Sequence, residues 1–114
     1  MKYAHHKYTY EPRFSARHTW SLIGPKGGVH FHASQYKDTE WSCGLEYHSY
    51  TGHEAPSQLR CWLLDAPCWH DGTSLYAQET LWPLVKPMLK DHQHDTIFRI
   101  LEQEADRYFD DPAS

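Results

Sequence analysis

Arg17-His18-Thr19-Trp20-Ser21-Leu22-Ile23-Gly24-Pro25-Lys26-Gly27-Gly28-Val29-His30-Phe31-His32-Ala33-Ser34 reads as a β-hairpin. His18, Trp20 and Leu22 alternate with Thr19, Ser21 and Ile23, the period of two expected of a strand with unlike faces. Gly24 to Gly28 is rich in residues that tolerate the positive φ values of a reversal, and Val29 to Ser34 returns as the second arm. A phosphate-binding loop would end in Gly-Lys-Ser/Thr and lead into a helix. Here Lys26 precedes the glycines and a strand follows, so the segment is a turn.

Upstream, Lys2 to Tyr10 reads as a strand with His6, Tyr8 and Tyr10 on one face and Tyr3, His5, Lys7 and Thr9 on the other, ended by Glu11-Pro12. Downstream, Glu40 to Tyr50 reads as a fourth strand, with Gly44 marking either a bulge or a close backbone approach. Thr51 to Ser57 reads as a loop and Gln58 to Leu64 as a fifth strand. Asp65-Ala66-Pro67 and Asp71-Gly72 then break the chain into a compact turn. Thr73 or Ser74 can cap a short helix reaching Leu81. Pro83 and Pro87 are expected to leave Trp82 to Leu89 irregular or in short helical turns. The last element is a helix, because Ile97, Phe98, Leu101, Ala105, Tyr108 and Phe109 recur on one face. Asp91 or Asp95 suits its positive end, and Asp110-Asp111-Pro112 closes it.

Strands followed by helices imply an α+β fold in a single domain, 1–114. The expected architecture is an antiparallel sheet of about four to five strands, then one or two short helices, then an amphipathic C-terminal helix packed on one face.

A chain of 114 residues supports one core. Its net charge is −4 and its basic residues form no run, so direct nucleic-acid binding is not expected. Aromatic residues make up 15%, including eight Tyr and five Trp. Such rings serve either as core or as the anchors of a partner-binding surface. Met1 to Tyr10 is polar and basic with no apolar signal core, and no apolar run has membrane-spanning length. A cytoplasmic protein off the membrane is expected, with its three cysteines reduced.

Ten histidines are the chemical peculiarity. His30 and His32 are two apart on a strand, Cys68 and His70 share that spacing, and Cys61 lies just upstream. Imidazole and thiolate are zinc ligands, and Cys61, Cys68 and His70 with His30 or His32 would make a tetrahedral set. Cys-x6-Cys-x-His is not a standard zinc spacing, however. The other reading has buried cysteines acting as small hydrophobes, hydrogen-bonded or exposed histidines, and no cofactor. His5-His6 and the His92/His94 pair read as surface residues. Catalysis has a parallel pair of readings. Cys68 next to His70, oriented by Asp71 or Asp65, would be a thiol with its base. Alternatively Asp71-Gly72 is a turn with Thr or Ser caps, packed by Trp62 and Trp69.

Trp20 to Phe31, Cys61-Trp62-Leu63-Leu64, Cys68-Trp69-His70-Asp71-Gly72-Thr73-Ser74-Leu75-Tyr76-Ala77 and Ile97 to Glu102 together resemble a group of small uncharacterised proteins encoded by bacteriophages, plasmids and related bacterial genomes. That resemblance carries no activity and no catalytic residue. It implies a setting in which small single-domain proteins act by docking on a host or phage protein, including inhibition of host defence complexes such as CRISPR effectors. The expected function is therefore a protein-binding module, with an inhibitor of the anti-CRISPR kind included. The alternative is a small enzyme or zinc-dependent domain using Cys61 to Ser74.

Overall fold

The computed structural model describes residues 3–24, 27–49, 69–72 and 74–110. Five antiparallel strands lie in sequence order: β1 (Tyr3–Glu11), β2 (Ser15–Ile23), β3 (Gly27–Tyr36), β4 (Ser42–Ser49) and β5 (Trp69–Gly72). Helical structure follows: α1 (Ser74–Tyr76), a π-helical turn (Ala77–Leu81), α2 (Trp82–Leu89) and α3 (His94–Asp110). This is the α+β arrangement expected from strands first and helices after. Among the described residues no helix is long and apolar enough to cross a membrane.

The β2–β3 register pairs Trp20 with Phe31 and Leu22 with Val29, and β4 continues the row with Leu45 and Tyr47. Partners across a ladder share a face, so the alternating apolar residues of three strands form one surface. Ile97, Leu101 and Ala105 of α3 close over it, and Leu81, Trp82 and Val85 complete a single core. Each of the Val, Leu, Ile and Phe side chains taken from water contributes roughly 1.5–3 kcal/mol. Near the end of α3, Tyr108 stacks on Tyr47 with ring centroids 3.9 Å apart and planes 8° from parallel.

Three expectations need correction. The segment around Asp71-Gly72 is not only a turn: Trp69–Gly72 pairs with β4, matching His70 to His48 and Asp71 to Tyr47. Its four residues are too few to show alternation, and Gly72 argued against a strand. Trp82 to Leu89 is a continuous helix despite two prolines: Pro83 lies in its first turn, and Pro87, inside it, removes a single i→i−4 bond. The Trp82 N–H bonds to the Ala77 carbonyl, five residues back, and the chain widens into the π turn. The third correction concerns His6 and His94, which are half-buried. The expected strand Gln58 to Leu64, the Thr51 to Ser57 loop, and Pro25-Lys26 of the hairpin turn lie outside the described residues.

Candidate functional site

Alternation puts the second set of β3 and β4 side chains on the sheet face turned away from α3. His30 stands opposite Ser21 on one side and Glu46 on the other, with His32 and His48 one step along each strand. Glu46 lies between two imidazoles: Oε2 is 3.4 Å from Nε2 of His48, and Oε1 is 3.9 Å from Nε2 of His32. Nδ1 of His30 is 3.5 Å from Oγ of Ser21. The His30 and His32 rings meet edge to face at 5.8 Å.

Gly44 makes the arrangement possible. A Cβ there would lie 2.6 Å from both Cε1 and Nε2 of His32, so the ring lies against bare backbone. The register across Gly44 is unbroken, which decides for close approach over a bulge. Burial dominates the electrostatics. It pushes the His30 imidazole down to about 4 against the opposing pull of Glu46, with His32, His48 and Arg17 adding to the depression. It also lowers His32, helped by Arg17 and opposed by Glu46. Neutral imidazoles flanking a carboxylate can accept protons, accept hydrogen bonds from a partner, or donate to a metal.

The zinc and catalytic candidates are only partly placed. His30 and His32 lie on β3 and His70 on β5, with β4 between them. Cys61 and Cys68 lie outside the described residues, and for His70 and Asp71 only the backbone is described. Among the described residues no group of three or more His, Cys, Asp or Glu side chains is placed to hold a metal ion. Glu46 and His48 were not singled out in sequence. The signal for them was the alternation of β4, which puts Glu46 and His48 on the face of Gly44 rather than of Leu45 and Tyr47.

A second feature lies at the end of the sheet where β1 turns into β2. Tyr10, Phe14 and Tyr36 are 61%, 68% and 62% exposed. With Glu11, Pro12, Lys37 and Asp38 they line a hollow of about 200 Å³. The platform is tied by backbone bonds: Phe14 N–H donates to Glu11 O at 2.8 Å, and Lys37 N–H donates to Phe14 O at 2.8 Å. The Thr39 hydroxyl donates to Tyr36 O at 2.8 Å. Asp38, at φ 64°, turns the chain in the left-handed region that Asp tolerates better than most residues. Two separate turns are therefore joined into one rigid end.

Comparison with protein-family models, curated proteins and solved structures gives no match.

Proposed function

We propose that this protein is a binding module of the kind carried by phages and mobile elements, docking on a host or phage protein through the Tyr10–Phe14–Tyr36 end of its sheet. Where the partner is a defence complex, docking would block it sterically. One observation carries this reading: Tyr10, Phe14 and Tyr36 stand more than 60% exposed around one hydrogen-bonded end of the sheet, with Tyr10 on one face and Tyr36 on the other by register. Rigid aromatic side chains lose little conformational freedom on binding and supply most of the energy in many interfaces. The resemblance to phage-encoded proteins supports the choice of partner.

The test is capture of partners from host lysate by the full chain and by a Tyr10→Ala, Phe14→Ala, Tyr36→Ala variant whose fold is checked by circular dichroism. A specific partner held by the parent and lost by the folded variant supports the module. Equal capture by both, or none by the parent, overturns it. A second variant, Cys68→Ala, His70→Ala, Asp71→Ala, separates this reading from the enzyme alternative, since a module docking through the Tyr10–Phe14–Tyr36 end keeps its partner.

A further inference from the structure

A stack of imidazoles ties together three elements that are far apart in the chain. His6 on β1, His18 on β2 and His94 at the first position of α3 lie on the face that carries the core. The His6 and His94 rings stack at 4.0 Å, and the His6 and His18 centroids are 5.3 Å apart. Trp20 backs both strand histidines, at 5.0 Å from His6 and 5.3 Å from His18. Its indole N–H donates to Nδ1 of His94 at 3.2 Å. We propose that this stack is a proton-operated latch: closed, it fastens the first turn of α3 to β1 and β2, and uptake of more than one proton releases that turn from the sheet.

Proton counting supports the latch. Nε2 of His6 lies 3.1 Å from Nδ1 of His18. The centroid separation is close to that distance plus two ring radii, so the two nitrogens meet head-on and share a single hydrogen. A first added proton goes to an outer nitrogen and leaves an imidazolium donating to an imidazole, a charge-assisted bond. A second proton on the pair sets N–H against N–H and breaks it. His94 has no such tolerance. Trp20 can only donate, so Nδ1 of His94 must be bare. Protonating it expels the indole N–H of a fully buried tryptophan.

The charges around the stack act in the same direction. His5 on β1 and His92 in the α2–α3 corner add positive neighbours, and the N-terminal end of α3 is itself positive. Asp95, in the first turn of α3, opposes them at His94. Burial and the His94 charge hold both His6 and His18 down at about 4. Burial and His92 lower His94 as well. An unfolded or released histidine titrates near about 6.5. Release is therefore increasingly favoured as pH falls from about 6.5 towards 4.

The test follows the full chain by NMR from pH 7 to pH 4, reading the Trp20 indole N–H and, in the first turn of α3, the Ile97 amide, which donates to Gln93 O. The expected result is loss of protection at the indole and at that turn, steeper than one proton allows, while β2–β3 amides stay protected. His94→Gln keeps an acceptor for Trp20 without a charge, and His18→Gln removes one charge from the pair. Each should move the transition down by about 0.5 pH unit or more. His5→Gln, whose charge is the weakest of those acting on His6, should leave it within about 0.2 unit. Should His18→Gln not fold, His94→Gln decides alone. The latch is overturned if the indole does not respond above pH 4, if the Gln variants leave the transition in place, or if all amides are lost in one step.

Discussion

Gln78 Oε1 accepts the backbone N–H of Cys43 at 2.9 Å, and Nε2 of the same amide donates to the Trp41 carbonyl at 2.9 Å. One side chain of the π turn thus pairs two backbone groups at the start of β4, beside a cysteine that is 4% exposed. Gln78→Ala leaves both without their side-chain partner and should cost about 1–3 kcal/mol. Urea unfolding monitors this, with the exposed Thr80→Ala as a control expected within about 0.5 kcal/mol.

Two glycines of the sheet should respond differently to alanine. At Gly27 the new Cβ would overlap the His48 carbonyl oxygen and come within 2.6 Å of Cζ of Phe109. The backbone cannot yield there without moving β4, so Gly27→Ala should cost about 1–3 kcal/mol. At Gly44 the three atoms nearest the new Cβ all belong to the His32 ring. That ring can swing away, so Gly44→Ala should cost less and show itself as separation of His32 from Glu46. Chemical denaturation of both variants, with histidine NMR for the second, gives the comparison. Equal costs would mean that His32 cannot move.

The strands and the last helix were legible because their periodicity is carried by many residues. His18, Trp20 and Leu22 mark one face of β2, and Ile97, Leu101 and Ala105 mark one face of α3. Both patterns reappear as the two sides of the core. Trp69–Gly72 was not legible, since its pairing is set by the free edge of β4 rather than by any pattern within four residues. For the site, His30 and His32 were visible as a same-face pair. Glu46 and His48 were not, because a carboxylate and an imidazole on a strand gain meaning only once register places them beside β3. His6 and His94 looked like surface residues for the same reason, being 88 positions apart and brought into contact by α3 crossing the sheet.

Stability should fall in acid partly through His30. Burial holds its folded-state value at about 4, below the ordinary 6.5. Between these values the unfolded chain binds a proton that the folded chain refuses, so stability rises with pH across this window. The associated loss begins below about pH 6.5 and is complete below about pH 4. His30→Gln removes that proton. Its unfolding free energy, measured by urea at pH 7 and pH 5, should differ less between the two conditions than that of the parent. An unchanged difference would assign the acid sensitivity elsewhere.

The α2–α3 corner gives the last prediction. Gln93 N–H donates to Met88 O at 3.0 Å and His92 N–H donates to Leu89 O at 3.1 Å. These are the two bonds of a Schellman motif, and His92, at φ 54°, occupies the left-handed position usually taken by glycine. A side chain there costs roughly 1–2 kcal/mol that glycine avoids, while glycine loses part of the gain to its freer unfolded state. His92→Gly should therefore stabilise the protein by about 0.5–1 kcal/mol. The gain should be larger below pH 6, because the substitution also removes a positive neighbour of His94. Thermal unfolding at pH 7 and pH 5 reads both effects. A destabilised variant at both values would show that the His92 ring makes a contact worth more than the strain it imposes.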